Sequence, residues 1–205
     1  MIKIMLIGVV FICSGCAGMP GMPGYISESY SKFDNATELH MKPAYGINGS
    51  GYKALALFWS TRMDKNTVIM EVHITPAAVF SREESLKFRI RDKTFSFKSI
   101  DSTENIYSKE GAYSPGINIP SSLWASRRYE VPVSFIEKII AAENPVIRIE
   151  LLQAYLEGEF IDEPLSAQRS FKDFLEKMAE LTGKSSQIFA AETTNNNPRK
   201  RENSQ

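Results

Sequence analysis

The chain has 205 residues, with 24 basic and 24 acidic side chains, two His, two Cys and 43% hydrophobic residues. A length of this order holds one domain with appendages, and the apolar content excludes a wholly disordered chain. A formal net charge of zero argues against nucleic-acid binding, and two cysteines exclude a disulfide scaffold or a zinc site built on several thiolates.

Residues 1–15 place one cation, Lys3, before an apolar run from Ile4 to Ile12 and the small residues Ser14 and Gly15. That is the layout of a secretory signal peptide, and the run is too short to cross a hydrocarbon core of about 30 Å. The stretch Cys13-Ser14-Gly15-Cys16 resembles the lipobox of bacterial lipoproteins, although Cys13 stands where that family prefers Leu. The resemblance covers the leader alone. It implies cleavage before Cys16 and a palmitate-type acyl anchor on Cys16, so that the mature chain keeps neither a free thiol nor a disulfide. Ala17 follows Cys16, which resembles the pattern for transfer to the outer membrane. The implied location is the bacterial cell envelope, anchored in the outer membrane and facing the periplasm. The membrane is thus an expected partner through the lipid.

Residues 16–31 read as the acylated Cys and a flexible tether, because 17–24 carry three Gly and two Pro, which favour turns and extended chain. A single β-rich globular domain is expected over 32–183. Residues 184–205 read as a disordered polar tail with four basic and two acidic groups, Arg199-Lys200-Arg201 among them. The domain itself is mildly acidic.

Within the domain the dominant hydrophobic period is two. Residues 37–42 alternate Thr37, Leu39 and Met41 inward with Glu38, His40 and Lys42 outward. Residues 53–61 and 67–75 predict a hairpin, whose first arm, apolar on both faces, belongs at a sheet centre. Residues 86–91 alternate apolar with cationic side chains, and a turn at Asp92-Lys93 would set Ile90 opposite Phe95 and Phe88 opposite Phe97. A further hairpin is predicted from 146–152 and 154–161. Two helices interrupt the strands. One opens at a capping box, Ser134 to Glu137; the other runs over about 167–182 with Phe171, Phe174, Leu175, Met178 and Leu181 on one stripe and Gly183 as C-terminal cap. The expected fold is mainly β or α+β. It is an antiparallel β-sandwich or twisted sheet of about seven to nine strands, with two helices packed at its side or end.

Catalytic signatures are absent from the sequence. Gly49-Ser50-Gly51 lacks the setting of a nucleophile elbow, and there is neither a phosphate loop nor a His-Glu-x-x-His run. His40 and His73 are expected on polar strand faces, His73 beside Glu71, and would form a two-His, one-carboxylate metal site only if their strands paired. Glu157 and Glu159 share a strand face and read as solvated. The most distinctive non-core segment is 101–126, where Tyr107, Tyr113 and Trp124 stand among Ser, Gly, Asn and Pro. This composition suits either an adaptable partner-binding surface or a cap folded over one end of the sheet. No catalytic residue, metal or cofactor is expected. The expected role is a membrane-anchored, non-catalytic binding or assembly module for an envelope protein or glycan. A small hydrophobic-ligand carrier and an envelope hydrolase are the alternatives.

Overall fold

The computed structural model describes residues 20 and 22–183, apart from 83, 110, 111, 115, 116 and 120, and gives the backbone alone for the described residues of 112–119. The leader, Cys16, most of the tether and the tail 184–205 lie outside the described residues. Twelve strands and two helices follow in chain order: β1 (Ile26–Ser31), β2 (Ala36–Met41), β3 (Tyr52–Ser60), β4 (Thr67–Thr75), β5 (Leu86–Ile90), β6 (Lys93–Phe97), β7 (Asn105–Lys109), β8 (Ala112–Ser114), β9 (Ile117–Ile119), β10 (Ser122–Pro132), α1 (Val133–Ile140), β11 (Val146–Glu150), β12 (Tyr155–Glu159) and α2 (Ala167–Leu181).

Ten of these strands form two antiparallel sheets, ordered β1-β2-β3-β4-β10-β7 and β12-β11-β5-β6, and β8-β9 is a separate small hairpin. The alternation in β4 builds one core face directly: Val68, Met70, Val72 and Ile74 are fully buried. β3 lies at the sheet interior as its two apolar faces require, with Leu55, Leu57 and Trp59 toward the core and the small Ala54 and Ala56 on the other side. Leu86 and Phe88 of β5 and Ile147 and Ile149 of β11 close the core from the second sheet.

The sheets are joined at both flanks into a curled half-barrel. On one flank Ala44 bridges Leu55 of β3, Asn48 N–H donates to Glu159 O (3.0 Å), and Ile161 N–H donates to Gly46 O (2.8 Å). On the other, Ser99 bridges Tyr129 and Ile100 N–H donates to Arg128 O (3.0 Å). Lys53 lies on the core face of β3 near the first seam. Its ammonium is buried and donates to the carbonyls of Ser50 (2.6 Å) and Gly51 (3.2 Å), and burial lowers its pKa.

α1 inserts Phe135 into a ring cluster, 4.7 Å from Phe97, 5.0 Å from Phe95 and 5.2 Å from Phe88 between centroids. α2 packs Phe171, Phe174, Leu175 and Met178 against the core, lying across β2 and β3 and against α1. Ser166 caps α2, and Gly183 beyond it takes φ +66°. No described helix is long and apolar enough to cross a membrane.

Four expectations are corrected. Residues 26–31, placed in the tether, form β1, an edge strand paired along its length with β2. The strand total, twelve among the described residues, exceeds seven to nine. The β5–β6 register is shifted by two: Phe88 faces Phe95 and Leu86 faces Phe97, because the turn uses Arg91 (φ +54°) and Asp92. The core face is unchanged, since a shift of two preserves the pleat. α1 begins two residues early, with Pro132 and not Ser134 at its N-cap and no side-chain cap. The chain enters the helix straight from β10, and Asn66 O already accepts the Val133 N–H (2.8 Å).

Candidate functional site

The face of the six-stranded sheet turned away from the core carries a polar network. Register sets it: Ala54 on β3, His73 on β4, Ser126 on β10 and Asn105 on β7 lie in one row, and Trp124 and Tyr107 pair further along β10 and β7. Ser126 Oγ donates to Glu71 Oε1 (2.7 Å). Glu71 Oε2 faces His73 Nε2 at 3.5 Å, and His73 Nδ1 lies 2.8 Å from the Tyr107 hydroxyl. The result is a polar chain, Ser126–Glu71–His73–Tyr107, running from a buried serine to a partly exposed phenol.

His73 was expected at the surface and is only 7% exposed. The reason is non-local: Tyr107 arrives from β7 and sets its ring edge-on to the imidazole at 6.1 Å. His40 is exposed as expected, 3.2 Å from Glu38 Oε2 and 4.7 Å from the Phe58 ring. β3 separates the strands of the two histidines, so they do not converge. Among the described residues no cluster of three or more His, Cys, Asp and Glu is placed to hold a metal.

The aromatic residues divide. Trp124 turns into the sheet, 7% exposed, its indole N–H donating to Ser122 Oγ (2.8 Å) and the Lys109 ammonium 5.6 Å from its ring. Tyr107 pairs with it across the ladder and stays 37% exposed. The Tyr113 side chain lies outside the described residues. Beside Tyr107, on the opposite face of the same arm, Ile106 and Leu123 are exposed diagonal neighbours. All five residues of β7 are exposed, and β7 ends the sheet order.

The charges of this network follow from its packing. Burial pushes the Glu71 carboxyl up, but the neighbouring His73 imidazole, the Ser126 hydroxyl and Arg128 outweigh it and hold the pKa below the ordinary value. Burial first, then the charge of Glu71 and the presence of Tyr45, pushes the Tyr107 phenol up to about 12. Chemically the order of groups matters. In a hydrolytic triad the imidazole stands between serine and carboxylate to take the hydroxyl proton. Here the carboxylate stands between serine and imidazole, and Ser126 is 2% exposed. Glu157, read as solvated, is held by Arg148 at 2.7 Å.

Sequence reasoning missed Glu71–Ser126 and His73–Tyr107 as pairs, because each joins residues 34 or more positions apart. Two clefts among the described residues, about 490 Å³ beside α1 and α2 and about 470 Å³ beside the β5–β6 turn, are lined in part by charged groups including Glu137, Asp162, Arg169 and Lys138. No family model, no curated protein and no solved structure matches this chain.

Proposed function

We propose that this protein is a lipid-anchored envelope module that binds an extended protein segment along the β7 arm. The observation that carries the reading is the β7 edge: a terminal strand of a six-stranded sheet, each of its residues exposed, that carries Ile106 and Tyr107 and has exposed Leu123 beside it on β10. An exposed terminal strand keeps one row of backbone groups free of a sheet neighbour, which suits it to strand addition. Cys16 would tether the domain to the membrane through residues 17–24, a reach of at most about 30 Å. A carrier reading is less well supported, because the large clefts are open and charged. A hydrolase reading is less well supported because of the order Ser126–Glu71–His73.

Two measurements test this. Cys16→Ser should release the protein from the membrane fraction, and unchanged membrane association would overturn the anchor. A photo-crosslinking residue at position 106 should capture a defined protein in intact envelopes, whereas one at Phe33, which is 99% exposed on the opposite side of the sheet order, should not. Equal capture at both positions, or capture of glycan alone at 106, would refute the edge as a protein-binding site.

A further inference from the structure

The Nε2 atom of His73 is buried without a hydrogen-bond partner, and the nearest acceptor is Glu71 Oε2 at 3.5 Å. The other carboxylate oxygen is already engaged by the Ser126 hydroxyl. Two neutral tautomers are available to an imidazole. If Nδ1 carried the proton, the Nε2 lone pair would face an ionised carboxylate in a buried setting, with no donor between them. If Nε2 carries it, the N–H dipole points at the carboxylate, and Nδ1 must accept its 2.8 Å bond from the Tyr107 O–H. The remaining neighbours do not alter this choice. Ala54 of β3 offers no charge, Ser126 of β10 is turned to Glu71, and Arg128 acts on Glu71 by strengthening its negative form. Lys109 of β7 is drawn away toward the Trp124 ring and the Tyr45 hydroxyl.

We infer that His73 is held as the Nε2–H tautomer, so that the Tyr107 hydroxyl commits its hydrogen inward and presents only lone pairs to whatever meets the β7 arm. A partner must therefore bring a donor to Tyr107: a backbone amide, a hydroxyl or an ammonium. The partner half of this inference rests on the proposed binding role; the tautomer half does not.

The test is nitrogen NMR of the histidine-labelled protein, in which protonated and unprotonated ring nitrogens resonate far apart. The chain has two histidines, and a His40→Gln variant identifies the signals of His73. At neutral pH, Nε2 should be of the protonated type and Nδ1 of the unprotonated type. Glu71→Gln, with an amide that can donate as well as accept, should raise the Nδ1–H population. Finding Nδ1–H dominant in the unmodified protein at neutral pH would overturn the inference. So would an unchanged tautomer ratio in Glu71→Gln protein that retains its fold. For the binding half, Tyr107→Phe should lower capture at position 106 by about fivefold at neutral pH, the equivalent of one hydrogen bond of about 1 kcal/mol. Capture that is insensitive to this change, with the tautomer as assigned, would refute the donor requirement alone. Absence of any capture would instead refute the proposed function and leave the tautomer standing.

Discussion

Gly158 sits where β12 meets the strap at residues 44–48, and replacing it with alanine isolates steric crowding from backbone strain. An added Cβ would lie 2.0 Å from Asn48 O, 2.7 Å from Lys53 Cε and 2.8 Å from Ile47 Cγ2, while the Gly158 backbone is not in the left-handed region. Ordinary contact begins near 3.4 Å, so the strap must retreat by more than 1 Å from β12. That retreat breaks the Asn48 N–H to Glu159 O bond (3.0 Å) and the Glu159 N–H to Asn48 Oδ1 bond (2.8 Å). Two bonds at about 1 kcal/mol each, with about 1–3 kcal/mol for overpacking, give a loss of about 3–5 kcal/mol. Gly183 provides the contrast: nothing lies within 4 Å of its added Cβ, but its φ is +66°. There the expected loss is the left-handed penalty alone, about 1–2 kcal/mol. Equilibrium urea unfolding of the two variants, read at unchanged m-value, compares them directly. A loss at Gly158→Ala no larger than that at Gly183→Ala would refute the claim that the strap is seated tightly against β12.

Phe135→Ala removes a 3% exposed ring that touches three other phenylalanines, and should cost about 3–5 kcal/mol; a change under 1 kcal/mol in the same unfolding assay would show that α1 does not anchor the core. Tyr129, fully buried with its hydroxyl 2.7 Å from Ser85 Oγ, has its pKa pushed up to about 12, chiefly by burial. The unfolded phenol ionises near its ordinary value of 10.0 while the folded one stays neutral. Stability from this group is therefore fully present below about pH 10 and is lost as pH rises toward 12, by about 3 kcal/mol. Tyr129→Phe should flatten that alkaline slope by up to one proton. An unchanged slope would place the titration elsewhere.

The strands that the sequence displays most openly are those whose burial is decided by their own pattern. β4 alternates because one face packs on the core, and β3 carries apolar groups on both faces because it is flanked by strands on both sides. The β3–β4 and β11–β12 hairpins and the Ser166-capped α2 are visible for the same local reasons. β1 and β7 are not, because an edge strand is held by its ladder bonds and its side chains need no pattern. The β5–β6 register turned on which residue accepts a positive φ, and Arg91 carries no mark of that choice. Lys53 is the one charged residue of an arm otherwise apolar on both faces, and it lies on the core face with two carbonyls around its ammonium. At the site, Tyr107 and Trp124 stand out by composition alone, but their partition into exposed and buried members depends on pairing with β10. His73 and Glu71 were adjacent on a face in the sequence; the phenol that covers the one comes from β7, and the hydroxyl that binds the other comes from β10.

The two flanks that join the sheets also determine how this fold yields. Each flank crosses between sheets on a few isolated backbone bonds, whereas β4 and β10 share a register of eight residue pairs. Opening of lowest free energy therefore runs along the flanks, like a clasp released at its catch while the hinge holds. The amides of Asn48, Ile161 and Ile100 would exchange with solvent well ahead of those at Val72 or Tyr129. A chain built this way fails by parting into two intact sheets, and what it exposes first is the apolar interior between them.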